Sequence, residues 1–343
     1  MPSPSRVVLF ALSLLLALTV AACRSVTHDD GPTWAIAIHG GAGTLDRAAP
    51  SSAQAEYRAS LSKALELGRE RLRRGDSALD VVEAVVRVFE DDPLFNAGKG
   101  AVFNEQGAHE LDASIMEGHT LACGAVAGVR TVKNPISLAR LVMEKTRHVL
   151  LMGDGAEQFA TLTGVERVEN SYFDTEYRRK VLEEVLRERQ LKGAALGAAQ
   201  AAPSDVRHGY GTVGCVVRDQ KGNLAAATST GGLTGKRWGR VGDTPVIGAG
   251  NYADAFVAVS GTGTGEQFIR HTVARSIGAR VQFGGQTLQQ AADAVVHGSL
   301  QPDDGGIIAV DRHGNLVATY NSTGMYRGLA DSSGLFDVRI FDN

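Results

Sequence analysis

Two strand–turn–strand segments in the C-terminal half constrain the fold most. Residues 212–230, "TVGCVVRDQKGNLAAATST", and 305–322, "GGIIAVDRHGNLVATYNS", each set apolar strands on either side of a turn. In the two turns Gly222 and Gly314 stand where a hairpin with a bulge requires a left-handed backbone. Between the hairpins, "GEQFIRHTVARSIGARV" (265–281) and "TLQQAADAVVHGSL" (287–300) read as helices. Strand pairs and helix pairs segregated in this way predict sheets covered by helices, a layered α+β domain. With 343 residues, 43% of them hydrophobic, the chain can bury a large core. Its net charge of -3 gives no electrostatic case for a nucleic-acid partner.

The N-terminal half alternates more freely. "WAIAIHG" (34–40) predicts a short buried strand running into glycines. Leu61, Leu65 and Leu72 mark a surface helix over 52–74, stopped by Gly75. Asp76 is the expected cap of a second helix, whose core face is Leu79, Val82, Val86 and Phe89. "ELDASIMEG" and "LACGAVAGV" predict two strands. "NPISLARLVMEK" predicts a helix capped by Asn134 with Pro135 in its first position. "HVLLMG" reads as a strand and 174–192 as a highly charged helix. From 193 to 208 periodicity is lost among Ala, Gly, Gln, Pro and Ser, which suits a flexible connection. Alanine also favours continuation of the helix, against which stand Gly193, Gly197 and Pro203.

At the N-terminus Arg6 precedes an apolar run, Val7 to Val20, then small residues and Cys23. This order predicts an export signal over 1–22, the run being short for a transmembrane anchor. "VAAC" resembles a bacterial lipobox, so Cys23 is the expected lipidation site, with plain secretion as the alternative. Residues 23–33 then form a polar tether, and the location is the periplasm, anchored through the lipid. Cys123 and Cys215 sit in strand-like contexts and are expected as buried thiols rather than a disulfide. No His/Cys cluster has zinc spacing.

The second strand pair begins at a junction. Thr212 follows Gly211, with the aperiodic segment upstream and an apolar run behind it. A threonine hydroxyl needs a base beside it. If the bond before Thr212 is cut, its own α-amino group, of unperturbed pKa about 7.7–8.0, can serve. The same hydroxyl can make that cut by attacking the Gly211 carbonyl, where glycine tolerates the strained backbone required.

The segments "HGGAGT", "PLFNAGKGAVFN", "HELDASIMEG", "GAVAGV", "GTVG", "ATSTGGLTGKRWGRVGDTPVIGAGNYAD" and "VSGTGTGEQFIR" occur in this order. Together, over roughly residues 34 to 330, they closely resemble the plant-type asparaginase and isoaspartyl peptidase family. The resemblance implies an N-terminal-nucleophile hydrolase with an αββα four-layer sandwich. It implies a single catalytic domain, 34–343, cut after Gly211 into an α chain and a β chain that begins at Thr212. It implies Thr212 as nucleophile and Thr230 as its hydrogen-bonding neighbour. Arg240 and Asp243 would hold the substrate's α-carboxylate and α-amino group, a fork for a carboxylate and an anion for an ammonium. Thr262 and Gly263 would form the oxyanion hole, and Asn96 would support processing. His39 is expected to be structural rather than a base. Ser229 and Ser260 lie in no serine-hydrolase elbow.

By the same resemblance, no organic cofactor is expected. A structural sodium ion would be held by the backbone carbonyls of Phe89, Glu90, Asp92, Phe95, Ala97 and Lys99, with Lys99 standing where an apolar residue is expected. Substrates would be β-aspartyl dipeptides and L-asparagine, and the assembly a dimer of αβ heterodimers. Tyr210 precedes Gly211 where the family often has histidine, which predicts altered processing. Related glycosylasparaginases usually carry aspartate and asparagine where this chain has Gly211 and Gly232, which favours isoaspartyl substrates. A glycosylasparaginase and a lipid-anchored protein that binds aspartate-like ligands without turnover remain the alternatives.

Overall fold

The alternation of side chains along the strands shows how the layers meet. A computed structural model describes residues 31–43, 50–196 and 211–341, the side chains of 192–196 excepted. The expected signal, Cys23 and the segment 197–210 lie outside the described residues. In β1 (Ala35–Ala42) every residue is buried. Ile36 and Ile38 enter one apolar cluster, and Ala35 and Ala37 enter another on the opposite face. β5 (Val213–Arg218) does the same, with Cys215 and Val217 on the first face and Val216 on the second.

These strands belong to an eight-stranded sheet of order β12-β11-β1-β5-β6-β2-β3-β4. The others are β2 (Leu111–Glu117), β3 (Cys123–Val129), β4 (Leu150–Met152), β6 (Leu224–Thr230), β11 (Met325–Asp331) and β12 (Phe336–Arg339). Only β3 and β4 pair in parallel. One face carries α1 (Ser51–Arg73), α2 (Ala78–Glu90) and α3 (Pro135–Lys145) over the largest cluster. The other face meets a four-stranded antiparallel sheet, β10-β9-β8-β7. Its strands are β7 (Asn251–Ala253), β8 (Val257–Gly263), β9 (Gly305–Asp311) and β10 (Leu316–Tyr320). On the far side, Val257, Val259, Ile307 and Ala309 pack under α7 (Val273–Gln282) and α8 (Leu288–Val296). The fold is therefore α+β. Gly222 and Gly314 adopt the left-handed backbone at the two hairpins, φ +81° and +86°.

Several elements differ from the sequence expectation. Ser77, not Asp76, caps α2: its hydroxyl accepts from the Asp80 N–H, while Asp76 pairs with Arg71 at 2.6 Å. Asn134 stands at the N-cap of α3 with Pro135 first, as expected, but its side-chain amide donates to Asp91 rather than making a capping bond. The single helix expected over 265–281 is two, α6 (Gly265–His271) and α7, separated at Thr272 with φ +43°. The first amides of α7 turn to the carbonyls of Ala249 and Gly248, which fixes the break. α4 (Gly153–Thr163) follows β4, and α5 (Glu176–Leu196) runs several residues into the segment expected to be flexible. Pro32 and Thr33, expected in the tether, are held by Arg218, which donates to both carbonyls. Cys123 and Cys215 are free thiols, and burial pushes both pKa values up. Among the described residues, no helix is long and apolar enough to cross a membrane.

Candidate active site

Thr212 immediately precedes β5 and Thr230 closes β6, its antiparallel neighbour, so continuing the Val213–Ser229 register brings the two residues together. The Thr212 hydroxyl donates to Thr230 Oγ1 at 3.1 Å, and the Gly232 N–H donates to the same oxygen at 3.0 Å. Both threonines are buried. Thr230 Oγ1 thus fixes the direction of the Thr212 hydroxyl.

Backbone contacts hold the bond before Thr212. The Asn96 N–H donates to the Gly211 carbonyl at 3.2 Å. The Asn96 side chain ties the segment after β6, donating to the Gly232 carbonyl at 2.8 Å and accepting from the Val102 N–H at 2.9 Å. Gly41, at φ +114°, lies so close that an added Cβ would overlap the Gly211 Cα. His39 lies below, buried, with its pKa pulled down by burial to about 3, so it is neutral. A carbonyl can only accept, so His39 Nδ1–H donates to the Thr212 carbonyl at 2.9 Å. Nε2 is left to accept from the Ser260 hydroxyl, also at 2.9 Å. Both ring nitrogens are thereby engaged away from the Thr212 hydroxyl.

A narrow cavity opens in front of Thr212, lined by Thr230, Gly232, Arg240, Asp243, Thr244 and Gly263 among others. Asp243 is buried, and its Oδ2 has no hydrogen-bond partner in the structure. Burial raises its pKa to about 7 against the pull of Arg240. Arg240 is engaged in a two-pronged ion pair with Glu266, both contacts 2.9 Å. Gly263 lines the cavity at the end of β8, from the second sheet, and Thr262 precedes it in the strand. Thr262 Oγ1 is buried and likewise without a partner. A cation and a carboxylate with a free oxygen beside one nucleophile suit a zwitterionic ligand bearing a reactive carbonyl.

Three contributors lay outside the sequence expectation. Glu266 occupies the guanidinium of Arg240. Lys236 is buried beside Gly232, donating to the Glu110 carbonyl at 2.8 Å, with its pKa lowered by burial and raised back by Asp112 and Glu110. Asp112 itself is fully buried and accepts from the Gly128 N–H at 2.8 Å. The motif "TGKRWGR" contains Lys236, but nothing in its local pattern distinguishes a buried lysine from an exposed one.

The loop expected to hold sodium folds its backbone inward. Side chains on Gly98 and Gly100 would overlap the carbonyls of Glu90, Pro93 and Phe95, which crowd against this turn. The carbonyls of Phe89, Asp92 and Ala97 each accept one long backbone bond, 3.2–3.3 Å, and keep a second lone pair. Lys99 directs its ammonium away, to the Tyr172 carbonyl at 3.1 Å and over the Tyr172 ring. This oxygen-rich turn fits a hard monovalent cation. Among the described residues no group of three or more His, Cys, Asp or Glu could hold a metal.

A family model described as asparaginase matches residues 32–340. A probable isoaspartyl peptidase/L-asparaginase 2 of Arabidopsis thaliana is 46% identical over 90% of this chain and 99% of its own. An isoaspartyl peptidase of Salmonella typhimurium is 52% identical over 85% and 93%. The human isoaspartyl peptidase/L-asparaginase is 43% identical over 84% and 91%.

Proposed function

The chain belongs to the asparaginase family, and from that membership we propose a self-cleaving threonine hydrolase that releases L-aspartate from β-aspartyl (isoaspartyl) peptides and from L-asparagine. The observation that carries this reading is the Thr212–Thr230 hydrogen bond beside a cavity lined by Arg240 and by Asp243, whose Oδ2 has no partner. The αββα layering of N-terminal-nucleophile hydrolases is part of the proposal, supported by the three apolar clusters.

In the precursor the Thr212 hydroxyl attacks the Gly211 carbonyl, whose oxygen the Asn96 N–H already contacts. The acyl group passes to oxygen and water hydrolyses the ester, freeing the α-amino group of Thr212. That amine is the base for turnover. The substrate's α-carboxylate displaces Glu266 from Arg240, and its ammonium meets Asp243. These two contacts aim the side-chain carbonyl at Thr212. Thr262 Oγ1–H and the Gly263 N–H stabilise the oxyanion. Collapse expels the peptide amine or ammonia and leaves a β-aspartyl ester on Thr212, which water cleaves. The carbonyls of Phe89, Glu90, Asp92, Phe95, Ala97 and Lys99 would hold a sodium ion that stiffens the loop leading to Asn96.

The export signal, the lipid on Cys23, the periplasmic location and a dimer of αβ heterodimers complete the proposal. The edge strand β4 leaves Leu150 and Met152 exposed, apolar surface that a second copy would cover. The test of function is aspartate release by purified protein from a β-aspartyl dipeptide, L-asparagine and an N-glycosylated asparagine. Turnover of the first two is expected. Preference for the glycosylated substrate would move the assignment to a glycosylasparaginase, and no turnover of any would favour a binding protein.

A further inference from the structure

A second, narrow cavity lies on the Gly211 side of the bond that Thr212 cuts. Its walls are aromatic: Tyr57 stacks on Tyr326 at 4.3 Å, and Phe95 meets Tyr57 edge-on at 5.7 Å. Into it α5 delivers Arg178, only 6% exposed. The Arg178 Nε donates to the Gly100 carbonyl at 2.9 Å, and no carboxylate pairs with the guanidinium among the described residues. The groups that face its charge are the phenols of Tyr57, Tyr177 and Tyr326, and burial pulls its pKa down. Arg140, by contrast, is shared among Asp80, Glu83 and Glu144. A buried, uncompensated guanidinium is costly unless a partner arrives.

The partner is supplied by the chain itself. A Cβ built on Gly211 would lie 3.8 Å from Arg178 Nη2, and the Asn96 N–H already touches the Gly211 oxygen. Hydrolysis of the 211–212 bond consumes one water. The Gly211 carbonyl carbon loses the Thr212 nitrogen to Thr212 Oγ1, then loses that oxygen to water. The nitrogen leaves as an amine, and the acid formed on Gly211 ionises. A negative charge thus appears beside Arg178 once, at cleavage. We propose that Arg178 and the Asn96 N–H form a receptor for the α-carboxylate that self-cleavage creates on Gly211, keeping the new chain end docked beside the nucleophile. A two-pronged guanidinium–carboxylate pair in an aromatic cavity is strong because water is excluded from it. It also makes religation unfavourable, since reforming the peptide strands the guanidinium again.

The inference rests on the self-cleavage proposed above. The test treats the mature wild type and Arg178→Gln with a broad-specificity carboxypeptidase and follows the mass of the N-terminal chain. A docked Gly211 is removed at least about tenfold more slowly in the wild type than in the variant. Equal trimming of the two overturns the proposal. So does trimming of the wild type at the rate of a free peptide ending in Tyr-Gly, a comparison that needs no variant. Arg178→Lys, which keeps the charge without the fork, should fall between. A chain that never cleaves overturns both this receptor and the self-processing reading, whereas a cleaved, active enzyme with a freely trimmed end overturns the receptor alone.

Discussion

The two cavities that flank the Gly211–Thr212 bond each contain an arginine, Arg240 partly buried and Arg178 buried, and the two are treated oppositely. In front, Arg240 is paired with Glu266, while Asp243 stands unpaired with its pKa raised to about 7. Behind, Arg178 has no carboxylate partner among the described residues. A site that must bind and release a ligand many times benefits from a resident stand-in, because exchanging one carboxylate for another leaves the guanidinium paired throughout. A site that meets its ligand once, and keeps it, needs no stand-in. On this account the front cavity is built for turnover and the rear one for a single event.

The largest effect joins the two regions. Thr212→Ala should abolish both self-cleavage and aspartate release, and Thr212→Ser should keep both, as read by denaturing gel and amine release. Next, Arg240→Ala should reduce kcat/KM by about 10²–10³-fold, the cost of truncating one side of a desolvated charge contact. Self-cleavage should proceed normally in that variant; slowed maturation would break the separation of front from rear. Thr262→Val keeps the shape and removes the unpartnered hydroxyl. It should lower kcat by about 10²-fold with KM little changed, also without effect on maturation.

The pH dependence sharpens the front half of the comparison. Asp243 must be ionised to receive an ammonium, and its empty-site pKa of about 7 lies well above the ordinary 3.8. Apparent KM should therefore rise as pH falls below about 7, and Asp243→Asn should bind weakly at every pH without that dependence. Stability runs the other way. A raised folded pKa means the folded protein holds the proton more tightly, so this contribution is full below the unfolded pKa. It is lost as pH rises from about 4 through about 7. The melting temperature of the empty enzyme should decline across that window by more than that of Asp243→Asn. The smallest effect is expected from Glu266→Gln: freeing Arg240 from a half-exposed partner should lower KM about two- to fivefold.

What the sequence made legible depends on how local the cause was. The strands of β5, β6, β9 and β10 declare themselves by apolar runs around glycine turns, and those runs carry Thr212 and Thr230 to neighbouring strand ends. Arg240, Asp243, Thr262 and Gly263 were recognisable through motif resemblance, which also led to Asn96. The break at Thr272 was not legible, because its cause is tertiary: two loop carbonyls capture the amides of α7. Ser77 and Asp76 are both competent caps, and only the competing Arg71 separates them. Arg178 lies in a helix crowded with exposed arginines, and nothing local marks it as the one that is buried. Lys236 is hidden for the same reason. Burial of a cation is a property of the assembled fold, so the rear cavity could be found only in three dimensions.

The central claim is that Thr212 becomes a chain terminus and thereby a nucleophile. Intact mass under denaturing conditions, on freshly purified wild-type protein, tests it most directly. The account predicts two chains, the smaller running from Thr212 to Asn343. A single uncut chain that nevertheless releases aspartate would contradict it.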